Sequence, residues 1–424
     1  MHPFQRGVVL PFRKGDAPTR PIEDLPVTRP LRIPLLTMSS DLVAPPTITL
    51  KKDTAYAAGE MLYDSGDGLP SIAPVAGTPD GTIVIRHPQY GGLLCTQFAP
   101  SDEAQTELLP ILPDNELTTD KILQIAHDAA IYDELDGVPL CDKLASWQMP
   151  ARDAAAMGCT LVADATENDV FGSAAWAVLE ENPRLVLDGL RLAARALHFS
   201  RYHIATMLPK DKRRKVRQAV GRINLYIVGD EYPVTTFSGR RGEVFRIGVQ
   251  ACLALVKAVR NGEKARSAVI TVAGDGVPRS RNLRVPYGTD IGDILTYCQA
   301  HVGTTVTLGD AMNGVPCPDL HMPLLPGTTT LLVQRVKHVR HAQPCIGCGR
   351  CAAVCHAELL PYEICRRLEN MHYERLQHLF PWECDGCAAC SYVCPAGRDV
   401  CTTVLQAGET QGSMFLNWGD DNNE

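Results

Sequence analysis

Two closely similar cysteine runs lie near the carboxyl end of the chain, CIGCGRCAAVC at 345–355 and CDGCAACSYVC at 384–394. Each run has the spacing Cys-x2-Cys-x2-Cys-x3-Cys. Three thiolates this close together can wrap one iron–sulfur cube, and the fourth follows after the chain has turned away into a helix. The spacing therefore predicts a C-terminal ferredoxin domain that holds two [4Fe–4S] clusters.

The fourth cysteine of each run is expected to ligate the cluster of the other run. The expected ligands are Cys345, Cys348, Cys351 and Cys394 for the first cluster, and Cys384, Cys387, Cys390 and Cys355 for the second. Two structural zinc sites are the alternative, because Cys-x2-Cys pairs also bind zinc. Zinc sites normally separate two such pairs by a longer loop, so the triple spacing favours iron–sulfur clusters.

Composition restricts the class of protein further. A length of 424 residues predicts two to four domains, and the net charge of −7 disfavours a nucleic-acid-binding protein. We expect no membrane span, because no apolar run approaches the ~18 residues that a spanning helix needs. The start of the sequence does not resemble a secretory signal, so the expected location is the cytoplasm and the 16 cysteines do not predict a disulfide framework.

Composition and periodicity predict an α+β multidomain fold in six segments. These are an extended N-terminal arm at 1–36, a β barrel-sandwich module at 37–100, an α/β domain at 101–262, a β-grasp domain at 263–335, the ferredoxin domain at 336–405 and a polar tail at 406–424. Strands are expected at 47–50, 202–207 and 267–272. The stretch from Val244 to Val259 is apolar nearly all round, which predicts one buried helix.

This order of modules, together with the two cysteine runs, resembles the RnfC family, whose members are the C subunits of Rnf-type electron-transport complexes. Cobalamin-reductase proteins and the electron-transfer protein associated with proline reductase share the plan. The resemblance also rests on PIEDLP at 21–26, APVAG at 73–77, VAGD at 272–275 and NLRV at 282–285. It implies a lipoyl-like barrel-sandwich, an SLBB-like β-grasp domain and an α/β layer that resembles the flavin subunit of respiratory complex I.

In family members that bind FMN and NADH, a glycine-rich loop approaches the flavin phosphate through backbone amides. The matching stretch is DGVPLCD at 136–142, in which Gly137 is the retained glycine and Pro139 has no amide hydrogen. The acidic segment beside the flavin matches ADATEND at 163–169, which contains Glu167. Gly137 and Glu167 are therefore the candidate FMN contacts, and the loss of the other glycines favours a degenerate flavin or nucleotide site.

The leading functional hypothesis is an electron relay. The two clusters would pass electrons between a reduced donor resembling ferredoxin or flavodoxin and a partner reductase or Rnf-type membrane subunits. The alternative is an FMN-containing NADH:ferredoxin oxidoreductase subunit of a membrane Rnf-type complex, so the sequence leaves open whether the chain oxidises NADH itself. A non-redox scaffold protein is a third possibility, and it predicts that cluster cysteines can be replaced without loss of partner activity.

The partners expected from the sequence are proteins, not nucleic acids. Any attachment to the inner face of the cell membrane would come through another subunit. A basic run from Lys210 to Arg222 contains a single acidic residue, Asp211. On a chain of negative net charge, this run is a candidate surface for steering an acidic electron donor, with an ordinary solvated helix face as the alternative.

Overall fold

In the computed structural model, the residues described are 6–35, 50, 54–63, 69–88, 91–102, 105–237, 242–309, 311–336 and 341–409. They form a mixed α/β structure whose strands belong to five sheets. Most of the strand expected at 47–50, and the polar tail beyond residue 409, lie outside the described residues.

The N-terminal arm ties the modules together. It contributes a 3-10 turn at Ala17–Thr19 and three short strands, β1 (Val8–Val9), β2 (Glu23–Asp24) and β3 (Leu31–Pro34). Each of these strands joins a different sheet. Between β1 and β2, the buried ammonium group of Lys14 donates hydrogen bonds to the carbonyl oxygens of Glu167 (2.8 Å), Asp169 (2.7 Å) and Gly172. Through this residue the arm is bound to the α/β layer.

A small β module follows the arm. Its strands are β4 (Met61–Tyr63), β5 (Ser71–Ile72), β6 (Gly77–His87) and β7 (Gly91–Pro100). Strands β6 and β7 form a long antiparallel hairpin, and β3 pairs with β7 so that Leu31 lies opposite Phe98. These two side chains are buried in the core of the module, whereas Ile85 and Leu93, nearer the turn of the hairpin, pack into the core of the next β domain.

The central layer is a four-stranded parallel sheet in the order β10-β9-β8-β12, covered by helices. Its elements are α1 (Thr119–Asp128), α2 (Leu140–Ser146), α3 (Ala151–Met157), β8 (Thr160–Ala165), α4 (Ala174–Glu181), α5 (Pro183–Ala196), β9 (Tyr202–Thr206), α6 (Lys210–Val220), β10 (Leu225–Ile227), β11 (Glu231–Tyr232), β12 (Val244–Gly248) and α7 (Val249–Asn261). Strand β11 lies outside the sheet and pairs with β1. Helices α5 and α7 pack closely where Gly189 meets the backbone of Cys252.

The expectation of a single helix from Val244 to Val259 is wrong over its first five residues. Residues Val244–Gly248 form strand β12, which pairs in parallel with β8, and only then does α7 begin. The periodicity of a short apolar run cannot distinguish a buried strand from a buried helix. The β-branched and aromatic side chains of Val244, Phe245 and Ile247 suit the edge of a sheet, and pairing with β8 decides the outcome.

A second, mixed sheet follows the α/β layer. Its elements are β13 (Ser267–Ala273), β14 (Arg281–Pro286), α8 (Ile291–Tyr297), β15 (Thr304–Leu308), β16 (Val315–Pro316) and β17 (Thr330–Arg335). The strand order is β16-β15-β17-β13-β14-β2, with arm strand β2 at one edge. Helix α8 buries Ile291, Ile294 and Leu295 in the core that this sheet shares with the β6–β7 hairpin.

The C-terminal region is helical and rich in turns. It contains α9 (Arg350–Val354), α10 (Pro361–Glu369), α11 (Ala389–Tyr392), 3-10 turns at Tyr373–Arg375, Gln377–Leu379 and Pro381–Glu383, and a helix over residues 400–409. Its core combines apolar side chains such as Ile364, Leu376 and Val404 with several cysteines. Across the described residues, no helix has the length and apolar character needed to cross a membrane.

Candidate functional site

The first group of cysteines lines a cavity of about 540 Å³ in the C-terminal region. Its lining contains the four thiols predicted as ligands, those of Cys345, Cys348, Cys351 and Cys394, together with Cys365. The loop that carries the first two turns at Gly347 (φ +67°) and Gly349 (φ +71°), a conformation that side chains with a Cβ rarely adopt. Cys345 and Cys348 are exposed, whereas Cys351, on α9, is buried.

The second group consists of Cys355, Cys384, Cys387 and Cys390, which line a smaller cavity. The structure thus brings together the same two sets of four thiols that the spacing predicted. The fourth cysteine of each run lies with the first three of the other run because α9 and α11 carry the chain across between the two cavities. These helices pack against each other.

A fifth cysteine, Cys401, also lines the second cavity, and the sequence analysis missed it. Its thiol lines the cavity beside those of Cys384 and Cys390, and its backbone N–H donates to the Ser391 hydroxyl (2.8 Å). The neighbouring Cys384 thiol lowers the pKa of Cys401, but the Cys390 thiol and burial outweigh it and raise this pKa to about 11. The sequence feature that could have indicated Cys401 is the helical spacing of Val400, Cys401 and Val404, which places all three on one buried helix face.

The thiols themselves fit a metal centre. Burial raises the pKa of Cys351 and of Cys355, and it raises the pKa of Cys387 to about 12. Without a positive centre these thiols hold their protons, whereas metal binding needs thiolates and releases protons. Two groups of four thiols, each lining one cavity, match the ligand number that two [4Fe–4S] clusters require.

The second group is clamped against the body of the protein. The Tyr232 hydroxyl donates a hydrogen bond to the carbonyl oxygen of Cys387 (2.7 Å). The arm adds a bond from the Arg6 guanidinium to the carbonyl oxygen of Cys355 (3.2 Å). His356 and Asp385 lie in contact beside these bonds, with 2.8 Å between Nε2 and Oδ2. The ligand atoms of His356, Asp385 and Cys387 lie within 4.8 Å of one another.

A separate cavity of about 490 Å³ lies between the C-terminal region and the α/β layer. One of its walls is formed by His356, Asp385 and Cys387. The lining of this cavity is strongly acidic. Its carboxylates from the α/β layer are those of Glu134, Asp136, Asp164, Glu167 and Asp169. The cationic side chain in the lining, Arg246, is paired with Asp164 (2.5 Å between Nη2 and Oδ2).

The two candidate flavin residues lie differently with respect to this cavity. Glu167 lines it, and its carboxylate accepts a hydrogen bond from the backbone N–H of Ala175 (2.5 Å) at the start of α4. Gly137 is not among the lining residues. A Cβ at Gly137 would point toward the carbonyl oxygen of Pro326, 3.2 Å away. The glycine therefore serves a close approach between two backbone segments.

At two helix starts beside this cavity, backbone amides are already paired with carboxylates. The carboxylate of Glu134 accepts hydrogen bonds from the N–H groups of Gln250 (2.6 Å) and Ala251 (3.0 Å), in the first turn of α7. Burial raises the pKa of Glu134 to about 8. Because Glu167 occupies the start of α4 in the same way, the residues present do not fit a flavin phosphate, which needs free amides or cations.

Comparisons with known proteins agree with the cysteine geometry. Residues 344–398 match the family model described as a 4Fe-4S dicluster domain. The chain is similar to the C subunit of the ion-translocating oxidoreductase complex of Pseudomonas aeruginosa, with 28% identity over 400 residues, 86% of this chain and 50% of the relative. The corresponding protein of Serratia proteamaculans is 22% identical over 395 residues, which cover 85% of this chain and 54% of the relative. The corresponding protein of Rhodobacter capsulatus is 28% identical over 234 residues, which cover 49% of this chain and 45% of the relative.

The chain spans about half the length of these curated relatives. Among solved structures, it is similar to a chain of an NAD+-reducing [NiFe]-hydrogenase in the air-oxidized state, with a TM-score of 0.44, 18% identity, and coverage of 71% of this chain and 65% of that chain. The expected resemblance to the RnfC family is confirmed by the relatives, and the expected iron–sulfur domain by the family match.

Proposed function

We propose that this chain is an iron–sulfur electron-transfer subunit of an Rnf-type complex, and that it relays electrons through two [4Fe–4S] clusters. The observation that carries the proposal is the gathering of eight thiols into two groups of four in one small domain. The first cluster is assigned to Cys345, Cys348, Cys351 and Cys394, and the second to Cys355, Cys384, Cys387 and Cys390. When bound, the clusters supply one-electron chemistry, and the protein sets their spacing, burial and potential.

The partners in this proposal are a reduced donor resembling ferredoxin or flavodoxin and a partner reductase or Rnf-type membrane subunits. The names of the relatives support membership in a multi-subunit complex. The segments at 37–100, 101–262 and 263–335 are assigned as barrel-sandwich, flavin-subunit-like and SLBB-like β-grasp domains. We assign them a positioning role, because their contacts through Tyr232 and the arm orient the second cysteine group.

The alternative, an FMN-containing subunit that oxidises NADH, requires the acidic cavity to hold a flavin phosphate. The position of the cavity beside Cys387 favours this alternative. Its chemistry does not, because Glu134 and Glu167 take up helix N-terminal amides and Arg246 is paired with Asp164. A phosphate carrying two negative charges would meet these carboxylates, and Arg246, the arginine of the lining in the described part of the chain, is already paired. We therefore assign the relay function without a bound flavin.

The test is the metal and flavin content of anaerobically purified protein. We expect about eight iron atoms per chain, a broad cluster absorbance, and no flavin released by acid. Cys348→Ser and Cys387→Ser should each lose one cluster, about four iron atoms, and with it electron transfer. Cys317→Ser is the matched control, because this half-exposed cysteine lies in neither group and should leave the iron content unchanged. Zinc in place of iron contradicts the relay, and stoichiometric FMN with bleaching by NADH favours the alternative.

A further inference from the structure

The two cysteine groups differ in what surrounds them. The second group contacts the body through Tyr232 and the arm through Arg6. The residues that line the first cavity all come from positions 344–400, within the C-terminal region itself. Among the described residues, no other domain contributes to that lining. The first group therefore lies at the outer surface, and the second lies at an internal boundary.

The surface around the first group presents apolar side chains to solvent. Ile346, between Cys345 and Gly347, is 70% exposed, and Tyr362, at the start of α10, is 38% exposed. Both residues line the first cavity, next to the exposed Cys345 and Cys348. Exposed apolar side chains beside a redox centre are typical of a surface that another protein covers for a short time.

The charges on this surface are positive. Its lining contains Arg350, Arg366 and Arg398, and a single acidic residue, Glu369, which is paired with Arg398. The side chain of Arg366 is 70% exposed and pairs with Glu363 (2.8 Å), and Arg350 is exposed and has no ion pair among the described residues. On a chain with a net charge of −7, these three arginines and their two glutamate partners leave this surface with a small positive excess, which Arg350 carries.

Exposed arginines act mainly on partners. A buried cation would offset the charge of the cluster itself. Water weakens the interaction of an exposed arginine with the cluster, but the arginine still attracts an approaching protein of negative charge. An apolar centre with a charged rim is the composition expected of a protein interface.

We propose that the surface formed by Cys345, Ile346, Cys348, Arg350, Tyr362 and Arg366, the first-group face, is the docking surface for a small electron-carrier protein with an acidic surface. Electrons enter or leave the chain there, at the first cluster, and the second cluster communicates with the interior. This inference rests on the proposed function, since it requires both clusters to be present.

The basic helix α6 is the competing surface on this chain. Lys212 bonds to the carbonyl oxygen of Pro18 and pairs with Glu180, and the Arg213 guanidinium donates to the carbonyl oxygen of Leu208 (3.1 and 3.0 Å). These residues stabilise the arm and the helix start. The remaining exposed cations, such as Arg214, lie on a helix that packs against α4 and α5. Arg214 therefore provides a matched control for charge reversal at the first-group face.

The experiment measures reduction of the full-length, cluster-loaded chain by stopped-flow absorbance. The probes are a small acidic [4Fe–4S] ferredoxin reduced with dithionite and, separately, reduced methyl viologen, which is a cation. The variants are Arg350→Glu, Arg366→Glu on a different helix, and Arg214→Glu. For the first two we expect a roughly 3–10-fold slower reaction with the ferredoxin at low salt, a flatter salt dependence, and convergence with the unmodified chain at high salt.

The same two variants should react with reduced methyl viologen at an equal or higher rate, and Arg214→Glu should match the unmodified chain with both probes. Iron analysis separates this inference from the proposed function, because a chain without iron refutes the relay itself. The docking proposal is overturned if iron-replete variants react with the ferredoxin as the unmodified chain does, or if Arg214→Glu causes the same loss. It is also overturned if both probes slow equally, or if the unmodified chain forms a dimer that Arg350→Glu dissociates.

Discussion

Replacing Cys401 with alanine should change the potential of the second cluster without removing the cluster. Cys401 is buried in the second cavity, where its thiol lies beside those of Cys384 and Cys390. When iron is bound, Cys384 and Cys390 are thiolates. The thiol of Cys401 keeps its proton and is then the hydrogen-bond donor to a ligand sulfur. A hydrogen bond donated to a ligand sulfur stabilises the more negative, reduced cluster, and its loss therefore lowers the reduction potential.

The expected size follows from the strength of one hydrogen bond. A thiol is a weak donor, so we take the lower range for a hydrogen bond, about 0.5–1.5 kcal/mol. Since a tenfold change in a one-electron equilibrium is about 59 mV and about 1.4 kcal/mol, the shift is about 20–60 mV toward lower potential. Cys401→Ser keeps a hydroxyl donor and should stay closer to the unmodified chain than Cys401→Ala.

The assay is a redox titration followed by electron paramagnetic resonance, with iron analysis of each sample. Cys365→Ala is the matched control, because the Cys365 thiol lines the first cavity and is directed at the carbonyl oxygen of Val400 (3.8 Å), away from the second group. It should leave the potential of the second cluster unchanged. An unchanged or higher potential in Cys401→Ala refutes the hydrogen-bond argument. A loss of about four iron atoms refutes it too, since Cys401 would then be a ligand.

Three further outcomes follow from buried contacts. Lys14→Met should lower the free energy of unfolding by roughly 2–4 kcal/mol in denaturant titrations, because three carbonyl oxygens lose a charged donor, while exposed Arg13→Ala changes it little. The pKa of Glu134 is raised from 4.5 to about 8, so its contribution to stability is lost as the pH rises through that range. Stability measured between about pH 6 and 8 should therefore fall less in Glu134→Gln. Gly189→Ala should destabilise by about 1–3 kcal/mol, because its Cβ would overlap the Cys252 carbonyl oxygen, whereas Gly229→Ala, with no atom within 4 Å, should not.

The parts of the structure that the sequence could predict are those determined by local pattern. Strands were expected at 202–207 and 267–272, and β9 (Tyr202–Thr206) and β13 (Ser267–Ala273) occupy these positions. The grouping of the cysteines is also local, because tight spacing leaves three thiols on one loop and sends the fourth into a helix. The mixed α/β architecture with a C-terminal dicluster domain is confirmed.

The parts that could not be predicted depend on contacts between distant segments. Strand β12 exists because β8 lies beside it, which no property of residues 244–248 alone reveals. Gly137 faces Pro326, nearly 200 positions away, so its role could not be inferred from the stretch around it. Cys401 follows the second run on a separate helix and joins the second group only when that helix packs against it. In each case tertiary packing assigns the function of the residue.

The surroundings of the two groups imply different electrostatic effects on the two clusters. Carboxylates along the acidic cavity disfavour the reduced, more negative state of a cluster at the second group, whereas the exposed arginines around the first cavity have a smaller, opposite effect on a cluster there because solvent screens them. The thiol of Cys401 opposes the second effect, because it stabilises negative charge on the ligand sulfurs. The carboxylates are enclosed and therefore screened less by solvent than the arginines. Removal of the Cys401 donor should lower the potential of the second cluster further and so widen the gap in potential between the two clusters. Narrowing this gap is a physical role for Cys401 that packing alone does not require.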